Sequence, residues 1–313
     1  MNLLRVSNLT VETSIDGKTL ADDVSFTIDE GESVGIVGES GSGKSLSALS
    51  ILSLLPNGVR KSKGTIEFKG QEIAPESLLD IRGNRISMVY QDPMTSLNPM
   101  MKIGRQIEEV LEAHNIEPDP ARVFLALSNV RIPDPEKSAN SYPHEFSGGM
   151  RQRVMIAIAL LLQPDLLIAD EPTTALDVTI QRQILNLVKE QKRLNNASIL
   201  WISHDLGVVA EMVEKVIVMY AGRIVEVGSI KEIFENPHHP YTVGLIGSLV
   251  KRKHQQKMIS IPGTPPKPWT VTKQCGFAGR CSQVLPQCTQ EKPELTSAGE
   301  QSFACFNPIQ GGL

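Results

Sequence analysis

The sequence predicts an α/β fold in which a largely parallel, helix-covered sheet is joined by an antiparallel β layer and interrupted by a helical insertion. Residues 3–9 and 24–28 alternate apolar and polar side chains, which indicates two half-buried strands at the start of the chain. A glycine-rich loop at 38–45 follows the apolar run 34–37 and precedes a helical pattern, so a buried strand there turns into a helix. Strand and helix patterns then alternate between residues 166 and 219, as they do in parallel sheets.

A helical insertion is predicted within this α/β pattern. Between residues 92 and 162 no strand pattern occurs, while residues 103–113, 121–130 and 149–162 carry apolar side chains at helical spacing. Proline-rich stretches separate these helices, and a later shift toward Pro, His, Lys and Gln marks a change of domain. We expect one large domain over residues 1–235, with a helical subdomain at about 92–162, and a C-terminal extension over residues 236–313.

The composition narrows the classes of function. The 313 residues are 41% hydrophobic, enough for a substantial core, and the formal net charge of −4 argues against a nucleic-acid partner, which usually requires a basic surface. The longest apolar runs, such as 156–162, fall short of the roughly 20 residues that span a bilayer. The first residues show no basic region followed by an apolar segment, so no secretory signal is predicted and we expect a cytosolic protein.

The glycine-rich loop predicts a nucleoside-triphosphate site. Its glycines allow the backbone to curl so that successive N–H groups point at phosphate oxygens, and the helix that begins near Lys44 adds the positive end of its dipole. Lys44 is expected to reach the β- and γ-phosphates, and Ser45 to offer its hydroxyl to Mg²⁺. The predicted phosphate-binding residues are Gly38, Glu39, Ser40, Gly41, Ser42, Gly43, Lys44 and Ser45.

A pair of acidic residues ends a second apolar strand, at residues 166–170. The strand delivers Asp170 rigidly, and Glu171 follows it directly. Asp170 can hold Mg²⁺ through its water shell, while Glu171 can polarise the water that attacks the γ-phosphate. The same pattern, standing alone, would also fit a strand that ends in a solvated acidic turn.

The run Phe-Ser-Gly-Gly-Met-Arg-Gln-Arg at residues 146–153 lies shortly before that strand. It opens a helical pattern and so makes a second anion-binding helix N-terminus in one chain. The run resembles the signature of ABC-type ATPases, which have a RecA-like parallel sheet core. The resemblance implies that two ATPase domains face each other head to tail, and that the signature of one contacts ATP on the phosphate loop of the other. The residues expected to make that contact are Ser147, Gly148, Gly149 and Met150.

Other elements of the family pattern follow in the expected order. Gln91 resembles the glutamine that meets Mg²⁺ and the attacking water, and His204 resembles the histidine that hydrogen-bonds the γ-phosphate. Ala175, Leu176 and Asp177 resemble the loop that crosses the dimer interface. The resemblance therefore implies catalytic roles for Glu171, His204 and Gln91, and Mg²⁺ ligands at Ser45, Gln91 and Asp170.

One element of the family pattern is missing. Members of the family usually place an aromatic ring near the end of the first strand, where it stacks on adenine, but residues 11–18 contain no aromatic residue. Ile15 or a neighbouring aliphatic side chain is expected to pack there instead. The predicted grip on the phosphates is unaffected, whereas the nucleotide preference stays open.

Three further runs, at residues 90–99, 237–242 and 261–266, resemble the ATP-binding subunits of bacterial dipeptide and oligopeptide importers. The resemblance implies an ATPase that energises peptide uptake from the cytoplasmic face of the cell membrane. Its partners would be two permease subunits, a second ATPase subunit of different sequence and an extracytoplasmic solute-binding protein. Nickel or metallophore uptake is the alternative. A soluble ABC protein of DNA repair or translation is the rival class, and it usually needs a coiled coil, tandem cassettes or basic extensions, which this sequence lacks.

All four cysteines lie in the C-terminal extension, at Cys275, Cys281, Cys288 and Cys305. In a reducing compartment such a cluster favours a metal site over disulfides. Four thiolates suit either tetrahedral zinc or a [4Fe–4S] cluster, and the spacing lacks the C-x-x-C pairs usual in structural zinc sites, which favours the cluster. The resemblance points the same way, because some importer subunits carry such a cluster. Zinc and unmetallated thiols stay open as alternatives.

Overall fold

The computed structural model describes residues 2–174, 176–249 and 261–309. Its strands are β1 (Asn2–Thr13), β2 (Thr19–Asp29), β3 (Ser33–Val37), β4 (Val59–Phe68), β5 (Gln71–Glu72), β6 (Ile86–Val89), β7 (Leu166–Asp170), β8 (Ser198–Ser203), β9 (Lys215–Tyr220), β10 (Arg223–Ser229), β11 (Thr296–Ala298) and β12 (Gln301–Phe303). Its α-helices are α1 (Lys44–Ile51), α2 (Leu78–Ile81), α3 (Pro93–Ser96), α4 (Ile103–Ala113), α5 (Pro120–Asn129), α6 (Pro135–Ala139), α7 (Gly148–Leu160), α8 (Val178–Asn195), α9 (Leu206–Met212), α10 (Ile230–Glu235) and α11 (Pro240–Leu249).

The chain forms two compact units. The first combines residues 1–73 with residues 201–313, and the second contains residues 74–200. The first boundary between the units lies between β5 and α2. The second boundary lies inside β8, a buried strand.

The first unit begins with an antiparallel sheet, in the order β2-β1-β4-β5. β1 pairs with β2 on one side and with β4 on the other, and both pairings are antiparallel. The turn between β1 and β2 uses Gly17 in a left-handed conformation, and the N–H of Thr13 donates to the carbonyl of Lys18 to close it. The predicted antiparallel layer is confirmed, with strands longer than the sequence pattern indicated.

A second sheet of the same unit carries the glycine-rich loop. β3 is parallel to β9, and β10 is antiparallel to β9. Every residue of β3 is buried, as expected for a strand covered on both faces. β12 then adds to β10, and β11 closes a hairpin with β12. This hairpin lies in the C-terminal extension, where the sequence predicted no strand.

The second unit is mainly helical. β6 and β7 are parallel, and the described chain between residues 92 and 162 forms helices and no strand. On α4, Ile103, Ile107 and Leu111 are buried at a spacing of four residues, so one helix face supplies the apolar contacts. The α/β class, the antiparallel layer and the helical insertion predicted from the sequence are therefore all present. None of the described helices is long and apolar enough to cross a membrane.

Candidate nucleotide-binding site

The loop between β3 and α1 has the geometry of a phosphate cradle. Gly38 passes so close to β9 that a β-carbon there would lie 2.1 Å from the carbonyl oxygen of Met219, so only glycine fits. Gly43 adopts a left-handed conformation and caps the N-terminus of α1. Because α1 begins at Lys44, the backbone N–H groups of its first turn lie at the end of the helix that adjoins the loop.

Lys44 lies within this loop. Its side chain is buried, and Nζ donates to the carbonyl oxygens of Gly38 and Glu39 at 2.8 and 3.0 Å. A further contact joins Nζ to the hydroxyl of Ser42 at 3.4 Å. The ammonium group of Lys44 is therefore hydrogen-bonded to backbone carbonyl oxygens of the loop. The charged oxygens of a triphosphate form stronger hydrogen bonds with an ammonium group than these carbonyls do. Ser45 follows on the first turn of α1 and is half-buried.

The C-terminal extension binds this loop, which the sequence did not predict. The guanidinium of Arg280 contacts the carboxylate of Glu39 at 2.7 Å and donates to the hydroxyl of Tyr220 at 3.0 Å. The hydroxyl of Tyr241 accepts the backbone N–H of Glu39 at 2.9 Å. The rings of Tyr220, Tyr241 and Phe277 pack together beside these contacts. Only Tyr241, inside the run 237–242, gave any signal in the sequence.

A buried carboxylate anchors the histidine-containing run that leads to Tyr241. Glu226 is fully buried and accepts the backbone N–H groups of His238 and His239 at 2.6 and 3.0 Å. The Nδ1 atom of His239 accepts the N–H of Tyr241 at 3.1 Å. Burial raises the pKa of the Glu226 carboxyl and lowers the pKa of His239 to about 3. These two histidines therefore have a visible structural role at the start of α11.

The acidic pair lies in the second unit, where β7 ends. Asp170 is buried, and Glu171 follows it in a left-handed conformation with φ of 46°. The carboxylate of Glu171 accepts the hydroxyl of Thr174 at 2.8 Å and the side-chain amide of Gln91 at 3.4 Å. The structure thus brings Gln91 and Glu171 together, and the catalytic roles assigned to them stay predictions. A non-glycine residue held in this backbone region is often found at functional sites.

The signature run forms the N-terminus of α7. Ser147 is the N-cap, and its hydroxyl accepts the N–H of Met150 at 3.3 Å. A β-carbon on Gly148 would meet no atom within 4 Å, whereas one on Gly149 would lie 2.6 Å from the side chain of Ile180. The helix start is therefore open at Gly148 and tightly packed against α8 at Gly149.

Two other predicted site residues lie at helix starts or strand ends. Asp177 is the N-cap of α8, where its carboxylate accepts the N–H groups of Thr179 and Ile180 at 3.0 and 2.9 Å. Leu176 is half-buried, and Ala175 lies outside the described residues. His204 follows β8 directly and is exposed.

The four cysteines have free thiols in the structure. Backbone N–H groups of Gln283 and Leu285 donate to the sulfur atoms of Cys281 and Cys288 at 3.3 and 3.4 Å. Burial, with a smaller contribution from the neighbouring thiols, raises the pKa of Cys305 to about 11. In the described part of the chain, no group of three or more His, Cys, Asp or Glu side chains is arranged to hold a metal ion. The predicted [4Fe–4S] or zinc centre therefore receives no support from this arrangement.

A glycine-rich phosphate-binding loop joins a buried strand to a helix, and a parallel strand ends in an acidic residue. These two features define a P-loop ATPase. The family model for ABC transporters matches residues 21–174, and the model for the C-terminal region of oligopeptide and dipeptide transporters matches residues 225–288.

Curated relatives match over almost the whole chain. The oligopeptide transport ATP-binding protein OppD of Salmonella typhimurium is 46% identical, with 99% of this chain and 93% of that protein covered. OppD of Haemophilus influenzae is 48% identical, with 94% of each chain covered, and OppD of Escherichia coli is 46% identical, with 98% and 94% covered.

Two solved structures share the fold. The structure of cbiO1 from Clostridium perfringens, part of the ABC transporter complex cbiONQ, has a TM-score of 0.64 and 28% identity over 74% of this chain and 90% of that chain. The dimeric ATP-binding cassette MJ0796, bound to ADP and Pi, has a TM-score of 0.61 and 26% identity over 72% of this chain and 98% of that chain. The chain therefore belongs to the oligopeptide transport ATP-binding proteins of the ABC transporter family.

Proposed function

We propose that the chain is an ATP-binding and ATP-hydrolysing subunit of a bacterial importer for dipeptides and oligopeptides. The observation that carries the proposal is the match of nearly the whole chain to oligopeptide transport ATP-binding proteins, together with the match of residues 225–288, which reach into the extension, to the C-terminal region of such transporters. A core ATPase match alone would leave the cargo open, because the same domain serves many transporters.

The phosphate loop and α1 are assigned to the triphosphate. Lys44 pairs with the β- and γ-phosphates, and the loop from Gly38 to Gly43 supplies backbone N–H groups. Ser45, Gln91 and Asp170 offer hydroxyl, amide and carboxylate oxygens, the ligand types that Mg²⁺ prefers. When bound, Mg²⁺ would neutralise charge on the phosphates.

The hydrolytic residues are assigned from chemistry and local contacts. Glu171 acts as the base that orients the attacking water, and its contact with Gln91 at 3.4 Å supports a joint role. His204 hydrogen-bonds the γ-phosphate. Ser147, Gly148, Gly149 and Met150, at the start of α7, contact ATP held by a partner subunit, and the loop 175–177 lines the interface with that partner. The open space at Gly148 supports this assignment, because a phosphate can approach the helix N-terminus there.

The assembly follows from the function. The partners are two permease subunits, a second ATPase subunit of different sequence and an extracytoplasmic solute-binding protein, and the chain lies at the cytoplasmic face of the membrane. We assign the ATPase domain to residues 1–235, the helical subdomain to about 92–162 and the importer-type extension to 236–313. Closure of two ATPase subunits around ATP would then pull on the permeases, and hydrolysis would release them.

Reconstitution with the permeases, the second ATPase subunit and the binding protein tests the proposal. We expect peptide-loaded binding protein to stimulate ATP hydrolysis. Lys44→Ala should lose ATP binding, whereas Glu171→Gln should bind ATP and trap the closed dimer with hydrolysis reduced by about a hundredfold or more. Stimulation by nickel or a metallophore in place of peptides would overturn the cargo assignment. Normal turnover by Glu171→Gln would overturn the role of that acid.

The [4Fe–4S] cluster on Cys275, Cys281, Cys288 and Cys305 remains part of the proposal. Its support is the number of thiols in one short, loop-rich segment, which equals the number of ligands that such a cluster takes. When bound, the cluster would organise a small, loop-rich segment. Anaerobic purification followed by visible absorption, iron and zinc analysis tests it: iron with broad visible absorption supports the cluster, zinc supports the alternative, and metal-free protein ends both.

A further inference from the structure

The turn between β1 and β2 has an aromatic neighbour that comes from the C-terminal extension. Residues 11–18 contain no aromatic side chain, and Ile15, the aliphatic residue at the tip, is 95% exposed. Trp269 lies beside this turn, with the Nζ atom of Lys18 5.8 Å from its ring centroid. The Nζ atom of Lys267 lies 5.4 Å from the centroid of the same ring. The extension therefore places an indole ring beside the β1–β2 turn, which has no aromatic side chain of its own.

Backbone contacts bring the same segment to the phosphate loop. The N–H of Gly222 donates to the carbonyl of Ser42 at 3.1 Å, which joins the β9–β10 turn to the loop. A β-carbon on Gly222 would lie 3.0 Å from the side chain of Pro268, the residue directly before Trp269. A β-carbon on Gly43 would lie 3.5 Å from the α-carbon of Gly222. One glycine thus separates the Trp269 segment from the residues that begin α1.

An indole in this position suits a purine base. In ATP only the ribose separates the base from the phosphates, so a base whose phosphates occupy the loop must lie close to it. Trp269 is half-buried, so its ring is held by the protein while part of it stays accessible. A lysine over an exposed ring is weakly held, because water competes for its charge, and a base can replace it.

We propose that Trp269 provides the aromatic surface on which the adenine of ATP stacks, so that the C-terminal extension completes the nucleotide site. The inference rests on the proposed ATPase function and adds a base-binding residue to it. Stacking gains its energy from ring overlap and does not read hydrogen-bonding edges, so Trp269 favours purine nucleotides over base-free phosphates without separating ATP from GTP.

Tryptophan fluorescence of the full chain tests the inference directly. The chain has two tryptophans, and Trp201 is fully buried, so Trp269 should report most of any nucleotide contact. We expect ATP and GTP to change the fluorescence and inorganic tripolyphosphate to leave it nearly unchanged. The change should be absent from Trp269→Phe, which still binds ATP within about threefold of the original chain because the ring is kept.

Affinity measurements separate stacking from support of the loop. Trp269→Ala should weaken ATP binding by about five- to a hundredfold, with tripolyphosphate binding unchanged. Leu295→Ala is the control, because Leu295 is an exposed apolar side chain of the same extension with no part in the proposed site; its ATP affinity should stay the same. Binding is followed with a fluorescent ATP analogue and by competition with unlabelled ATP and tripolyphosphate.

Each remaining outcome has one meaning. If the unsubstituted chain binds neither ATP nor tripolyphosphate, the proposed function fails. If it binds ATP but Trp269→Ala binds equally well, or if Trp269→Ala loses tripolyphosphate in the same proportion, the stacking role is refuted. If Trp269→Ala does not fold, the fluorescence response of the unsubstituted chain and its loss in Trp269→Phe decide the question.

Discussion

Replacement of Arg280 by alanine should destabilise the folded chain and loosen the phosphate loop. The Arg280 side chain is 7% exposed and makes four hydrogen bonds. Two of them reach the carboxylate of Glu39 and the hydroxyl of Tyr220, at 2.7 and 3.0 Å. The other two reach the carbonyl oxygens of Pro262 and Ile261, at 2.7 and 3.2 Å. Arg280 therefore holds the extension and the loop together.

The size of the effect follows from these contacts. A hydrogen bond to a charged group contributes about 1.5–3 kcal/mol, and the removal of one partner of a buried ion pair costs about 3–5 kcal/mol. The carboxylate of Glu39 is only partly buried, so water can solvate it after the substitution. This solvation lowers the free-energy cost of removing its ion-pair partner. We therefore expect Arg280→Ala to lower the free energy of unfolding by about 2–4 kcal/mol.

Urea unfolding of four variants measures this effect. Arg280→Lys keeps the charge but loses the planar fork, so it should recover less than half of the stability lost in Arg280→Ala. Glu39→Gln and the double variant complete a cycle, in which we expect a coupling free energy of about 1–3 kcal/mol between Arg280 and Glu39. A loss below about 0.5 kcal/mol in Arg280→Ala, the range of ordinary surface substitutions, would refute the reasoning.

Two further predictions concern His239 and Gly38. Because the folded pKa of His239 is about 3, below its ordinary value of 6.5, its contribution to stability is complete above pH 6.5 and declines as pH falls toward 3. The loss should reach about 2 kcal/mol at pH 5, and His239→Gln should remove this part of the pH dependence in urea titrations; identical pH profiles for the two chains would contradict it. Gly38→Ala should abolish tripolyphosphate binding and lower thermal stability, because its β-carbon would lie 2.1 Å from a backbone oxygen. Gly41→Ala has open space around it and should lower the free energy of unfolding by only about 1–2 kcal/mol, the cost of a left-handed backbone at a non-glycine residue. Equal effects of the two glycine substitutions would show that the close approach at Gly38 does not matter.

Much of the nucleotide-binding machinery could be predicted from local sequence. The strand–loop–helix pattern around Lys44 is contiguous, so its hydrophobic periodicity and glycine spacing are enough to place it. The same holds for β7, which the structure gives as Leu166–Asp170, and for the cap at Ser147, which a serine before a helical pattern signals.

The contacts of the C-terminal extension could not be predicted in this way. Arg280 and Glu39 are 241 residues apart, and nothing in either sequence neighbourhood indicates the other. The contact between Trp269 and Lys18 could not be predicted either, because the two residues are far apart in sequence. Trp269 follows a proline-rich stretch that has no hydrophobic periodicity to indicate what it packs against. The hairpin of β11 and β12 was missed because each strand is only three residues long, too short to show the alternation that marks a half-buried strand; β11 is also fully exposed.

The extension is best understood as part of the nucleotide-binding unit, because its contacts converge there. β12 extends the sheet beyond β10, Lys292 pairs with Asp22 of β2 at 2.8 Å, and Arg280 reaches Glu39 in the phosphate loop. Arg280 directly precedes Cys281, so the geometry of the cysteine segment and that of the arginine are set by the same short turn, Ala278–Arg280. The arginine that supports the phosphate loop and Cys281 thus belong to one local structure.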